Sequence, residues 1–201
     1  MLSTSSAMLF VLGTVVILIM PGPTNTLLAA AGLRQGVRRS ARLTAAELVG
    51  YLVSISIWGH FLVHVAHSLT WLPMLVRIAS SLYIAYLAVR MWRTAVALPS
   101  STQQVIGMRT LLVATLLNPK GILFASAIFP AVAFASFPAY LEAMTLFTLM
   151  LIPIGLAWVA FGAALGSGRL VWLSPARVQR AASIVLGTFS LWLTWTVVHL
   201  A

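Results

Sequence analysis

Val15-Val16-Ile17-Leu18-Ile19-Met20-Pro21-Gly22-Pro23-Thr24-Asn25 carries an apolar run straight into a helix breaker, and Leu111-Leu112-Val113-Ala114-Thr115-Leu116-Leu117-Asn118-Pro119-Lys120-Gly121 does the same. Each lies in an apolar stretch long enough to cross a bilayer, for which about 20 residues suffice. A proline inside a helix removes a backbone donor and clashes with the preceding turn. Two such interruptions at matching places in the two halves of a chain are the pattern by which transporters build a site at the bilayer midplane. Both breaks are followed by restarting helices, whose unpaired N–H groups and positive dipole end favour an anion. The leading expectation is a small transporter handling a carboxylate-bearing solute.

Composition sets the frame. Of 201 residues, 61% are hydrophobic and 7% charged, and the mean hydropathy of +1.05 lies outside the range of soluble domains. The sequence reads as an all-α integral membrane protein with six transmembrane helices, over residues 7–33, 44–66, 71–92, 111–135, 140–163 and 178–200. These form a single transmembrane domain over 1–201, with no room for a soluble one. The net charge of +10 comes from arginines grouped in connections, not from a basic face with readout chemistry, so the expected partner is the lipid bilayer and not nucleic acid. The groups are Arg34, Arg38, Arg39 and Arg42; then Arg90, Arg93 and Arg109; then Arg169, Arg177 and Arg180. The positive-inside rule puts these alternate connections in the cytoplasm and both termini outside. Met1 to Ala7 has no basic residue ahead of its apolar run, so it does not read as a cleavable signal peptide. The chain has no cysteine, which excludes disulfides, thiolate ligands and a cysteine nucleophile.

Three spans per half oblige the second half to enter the membrane from the opposite side, giving a 3+3 inverted repeat of halves 1–97 and 105–201 with the first and fourth helices broken. The polar run Leu98 to Gln104 reads as the cytoplasmic linker. Trp71-Leu72-Pro73 and Phe137-Pro138 read as short outer connections, so recognition has to take place within the membrane.

At the first break Pro21 ends the helix, Gly22 permits close backbone approach, Pro23 suits the first turn of the restart, and Thr24 and Asn25 supply hydroxyl and amide groups. A plain proline kink is the alternative. At the second, Asn118 is a good N-cap, Pro119 suits the first helical position and Lys120 projects from the new first turn. An ammonium inside a span costs about 2.5–3.5 kcal/mol, so a substrate carboxylate is its natural partner; snorkelling over roughly 12 Å to the interface is the alternative. Glu47 and Glu142 are the only acids. Thr44-Ala45-Ala46-Glu47 matches a capping box, yet Glu47 is also the one carboxylate placed to bind an ammonium or carry a coupling proton; both readings stand. Glu142 reads as a surface residue offsetting a helix dipole.

His60, His64 and His67 share a helical face, and a metal-ion exporter built on them is the alternative within transport. No acid or cysteine completes a coordination shell, so neither a metal site nor a cofactor is expected. An intramembrane enzyme is the alternative from another class; Gly-x-Ser-x-Gly, His-Glu-x-x-His and any aspartate are all missing. The pairs Gly32/Gly36 and Gly162/Gly166 have the spacing that lets helices pack closely.

Pro21-Gly22-Pro23, then Gly32, Gly36, the following arginines and Gly50, together with Leu116-Leu117-Asn118-Pro119-Lys120, resemble the two signatures of the lysine-exporter (LysE) family, which includes homoserine/threonine-type exporters. The resemblance implies a secondary transporter that exports amino acids or close derivatives from the bacterial cytoplasm across the inner membrane, drawing on membrane energy. No Walker-type phosphate loop is present, which agrees. Thr24 stands where many relatives carry an acid and Glu47 where a small residue is frequent, which moves the acidic partner from the first break to the second helix. A dibasic substrate would need a second interior anion, so a neutral amino acid is expected. A proton is the candidate coupling ion and a homodimer the candidate assembly.

Overall fold

A computed structural model of the chain describes residues 4–69, 71–93 and 106–167, together with 180, 183, 184, 187, 188, 190, 191, 194 and 195. The described residues are almost all helical. Helix α3 (Leu43–Ser68) and α8 (Phe137–Gly166) are each long and apolar enough to cross a membrane. Two bent pairs raise the number of such spans to four: α1 (Thr4–Ile19) with α2 (Pro23–Ser40), bent by 54°, and α5 (Met108–Leu116) with α6 (Lys120–Leu123) and its continuation to Ile128, bent by 50°. Both bends fall at the expected motifs. Helix α4 (Leu72–Arg93) follows α3, and a short α7 (Val132–Ala135) precedes α8.

The breaks follow from local chemistry. Pro21 cannot continue α1, Gly22 is fully extended at φ −161°, and Pro23 opens α2 where its missing N–H is no loss. The second break restarts at Lys120 and passes into a π-helical turn, Phe124–Ile128, closed by Phe129 N–H donating to the Phe124 carbonyl at 2.8 Å. Such turns gather at functional sites because they loosen the regular ladder.

Several boundaries differ from the sequence reading. The first arginine group lies mostly on α2 itself, with Gly36 at φ 73° bending the helix without ending it. A side chain rarely adopts that backbone, so Gly36 serves conformation and not close packing. The connection to α3 is only Ala41-Arg42. Phe137 and Pro138 form the first turn of α8 behind Ser136, because proline there gives up a donor the helix start does not use; the connection is instead Phe129 to Ser136. The linker 98–104, Arg169 and Arg177 lie outside the described residues.

Packing is set by glycines. A Cβ on Gly32 would collide with the Val159 carbonyl, and one on Gly162 with the Ala29 carbonyl, so α2 and α8 meet backbone to backbone. Gly166 extends the contact against Leu33. On the other side Gly50 of α3 lies against Thr115 and the Leu112 carbonyl of α5. The core between these pairs is aromatic: Phe10, Phe124, Phe129 and Phe147 are all buried. Away from it, Ser81 on α4 and Ser190 exchange hydrogen bonds, each hydroxyl donating to the other's carbonyl at 3.0 and 2.9 Å.

Candidate functional site

A helix that stops inside a protein leaves carbonyls without partners. At the end of α1 they are met by side chains from elsewhere. Asn25 Nδ2 donates to the Leu18 carbonyl at 2.7 Å and the Met20 carbonyl at 2.8 Å. Lys120 Nζ, from the second break, donates to the Ile17 carbonyl at 2.9 Å and the Met20 carbonyl at 2.5 Å. To get there the lysine stem lies across Gly22, where a Cβ would stand 3.0 Å from Cε and 3.1 Å from Nζ. Lys120 is 4% exposed, so it does not snorkel. An ammonium has three donors, and two of them close the first break.

The second break is capped as its sequence implies. Asn118 Oδ1 accepts from the Lys120 backbone N–H at 3.1 Å, and Pro119 already has helical dihedrals. The amide's other end faces away: Asn118 Nδ2 donates to the Tyr51 hydroxyl at 2.9 Å and lies 3.4 Å from Thr24 Oγ1, while Thr24 and Tyr51 hydroxyls are 3.3 Å apart. One asparagine therefore joins the second break to the first and to α3.

Helix α3 contributes a polar stripe, Thr44, Glu47, Tyr51 and Ser54, spaced to share one face. All four are buried. Neighbours approach that face closely because they are glycines: Gly155 of α8 sits against Thr44 and Glu47, and Gly121 of α6 against Ser54. The capping-box reading of Thr44 and Glu47 does not hold. Helix α3 starts at Leu43, which puts Thr44 inside the first turn and not at the cap, and neither Thr44 Oγ1 nor Glu47 Oε1 has a hydrogen-bond partner. Glu47 instead points inward at 2% exposure, with Thr24 facing its carboxyl and Lys120 near enough to act on its charge. Ser54 Oγ is also without a partner. A buried carboxylate oxygen in that state demands a donor, because leaving it unmet costs more than an ordinary hydrogen bond returns.

Of the expected site residues, Gly22, Thr24, Asn25, Glu47, Asn118 and Lys120 come together here; Pro21 is half-buried beside them, Pro119 shapes the restart, and Pro23 faces outward. Tyr51 and Ser54 were not among them, although their spacing from Glu47 on one helix carries the signal. The His60 ring packs against Phe134 and Tyr140, His64 Nδ1 lies 2.7 Å from the His60 carbonyl, and the His67 side chain is outside the described residues. Among the described residues no group of three His, Asp or Glu side chains could hold a metal.

The family model described as LysE type translocator matches residues 15–199, a span containing both breaks and Glu47. The chain belongs to the LysE type translocator family. This translocator is therefore a multi-pass membrane transporter, in agreement with the signatures around Pro21 and Asn118. No curated protein and no solved structure matched the chain.

Proposed function

We propose that this LysE type translocator exports neutral amino acids or close derivatives from the cytoplasm across the bacterial inner membrane. The observation that carries the reading is a buried acid and a buried base with complementary unmet capacity: Glu47 Oε1 has no donor, and Lys120 Nζ has a third N–H beyond its bonds to Ile17 and Met20. A zwitterion fits that demand, with its ammonium at Glu47 and its carboxylate at Lys120. The Thr24 and Tyr51 hydroxyls, 3.3 Å apart, offer further hydrogen bonds there. A dibasic solute would bring a second cation to a site with one carboxylate, and a buried unpaired charge is costly.

The same reading takes the chain as six spans in a 3+3 inverted repeat with both termini periplasmic. It is supported by the similar bends of 54° and 50° and by exchanged packing, α8 against α1 and α2 while α3 packs against α5 and α6. The reciprocal Ser81–Ser190 bonds suit a two-fold relation. Protonation of Glu47 would couple export to the proton gradient.

The test is to load cells with dipeptides, overexpress the chain and measure which free amino acids appear outside. Accumulation of neutral amino acids supports the proposal. No accumulation of any amino acid, with the protein present in the membrane, overturns it.

A further inference from the structure

A cavity lies away from the buried site. It is an open cleft of about 530 Å³ between α3 and the start of α8, within the usual range of small-molecule pockets. Counting along α3, it spans Ser56 to His60, roughly 20–26 Å from Leu43 and the arginine-rich connection. Its lining mixes polar side chains, Ser56, His60 and Tyr140, with apolar ones, Ile57, Phe134 and Phe137. Among the described residues that line it there is no Lys, Arg, Asp or Glu.

The polar side chains are ordered for acceptance. Ser56 Oγ donates to the Leu52 carbonyl at 2.5 Å, so the 2.6 Å contact between Ser56 and Tyr140 uses the tyrosine proton. Both oxygens keep lone pairs free to accept, and the His60 ring stands edge-on to Tyr140 at 5.9 Å. Between this cleft and the buried site is a continuous aromatic wall. Tyr51 meets Phe124 at 5.6 Å and Phe147 at 6.0 Å, Phe147 meets Phe129 at 5.7 Å, and Phe129 stacks on Phe134 at 5.8 Å. Phe124 opens the π-helical turn and Phe129 follows its end. Tyr51, which carries the polar site's hydroxyl, is thus linked ring by ring to Phe134, which lines the cleft.

We propose that the cleft is a second, weaker site for the same class of neutral amino acid, on the far side of the aromatic wall from Glu47. Its apolar side chains take the substrate side chain, and the Tyr140 and Ser56 oxygens with His60 take the ammonium and carboxylate. Held by neutral polar groups among the described lining residues, the solute binds more weakly than at Glu47 and Lys120, which suits release. The solute class rests on the exporter reading; the site itself does not.

The chain has no cysteine, so Ala135→Cys in the cleft gives a single thiol. Its labelling by a membrane-impermeant maleimide, added to the face opposite the arginine connections, is followed with and without a mixture of L-alanine, L-valine, L-leucine and L-threonine. The mixture should slow labelling by about threefold at about twice its Kd. The slowing should be the same in a Glu47→Gln background and should vanish with His60→Ala and Tyr140→Phe. An unreachable thiol, labelling that the mixture leaves unchanged, or protection that disappears with Glu47→Gln overturns the second site. Protection without any export by the parent keeps the cleft and removes the exporter reading; export without protection does the reverse.

Discussion

The two breaks bend the chain by nearly the same angle, yet they are chemically opposite. The first is a helix end: its carbonyls at Ile17, Leu18 and Met20 are acceptors waiting for donors. The second is a helix start, capped locally by Asn118 and supplying a lysine. The second break completes the first, because the Lys120 ammonium reaches across to Ile17 and Met20. Matched interruptions therefore need not be two copies of one binding element. Here they form a donor–acceptor pair, and the strongest unmet demand falls on neither of them but on Glu47 of α3.

The sharpest way to break that comparison is to remove the shared lysine. Lys120→Ala should abolish dipeptide-driven export and also lower stability in detergent by roughly 1–3 kcal/mol, because the Ile17 carbonyl loses its donor while the Met20 carbonyl keeps Asn25. Lys120→Arg should recover stability more than export, because a guanidinium still donates to carbonyls but presents its donors in a fixed plane. Full stability of the alanine variant would show that the first break does not depend on the second.

Next come the asparagines, one at each break. Asn25→Ala strips the Leu18 carbonyl of its side-chain donor and should cost about 1–3 kcal/mol. Asn118→Ala removes a cap, worth about 1 kcal/mol, along with the donor to Tyr51. Thermal unfolding of the purified variants measures both losses, and full stability of Asn118→Ala would show that the second break does not depend on its own cap. Tyr51→Phe keeps the ring packed against Phe124 and Phe147 and forfeits the hydrogen bond from Asn118 at 2.9 Å, about 0.5–1.5 kcal/mol, together with the longer 3.3 Å contact to Thr24. Export should fall by less than it does for either break's own residues.

What the sequence made legible was local. Proline and glycine act on their own backbone, so the breaks at Pro21 and Asn118 and the helix restarts were readable without neighbours. Asn118 as a cap followed from the same short-range chemistry. Partners a hundred residues apart were not readable: nothing near Lys120 says that its ammonium closes α1. Thr44 and Glu47 matched a capping box by spacing alone, and that pattern fails once the helix begins one residue earlier, at Leu43. Gly36 was read as a packing glycine because spacing cannot distinguish close contact from a positive φ. Tyr51 was within reach, since Glu47 marks the buried face and a residue four positions later shares it.

The central claim, that Glu47 and not either break holds the substrate ammonium, is tested most directly by Glu47→Gln in the dipeptide-export assay with membrane abundance measured alongside. Glutamine keeps the size and hydrogen-bonding capacity of the side chain and removes the charge. Export should drop at least tenfold, about 1.4 kcal/mol in the barrier, with abundance at the parent level. Export at the parent rate would contradict the account and leave the ammonium to Thr24, Tyr51 and the carbonyls of the first break.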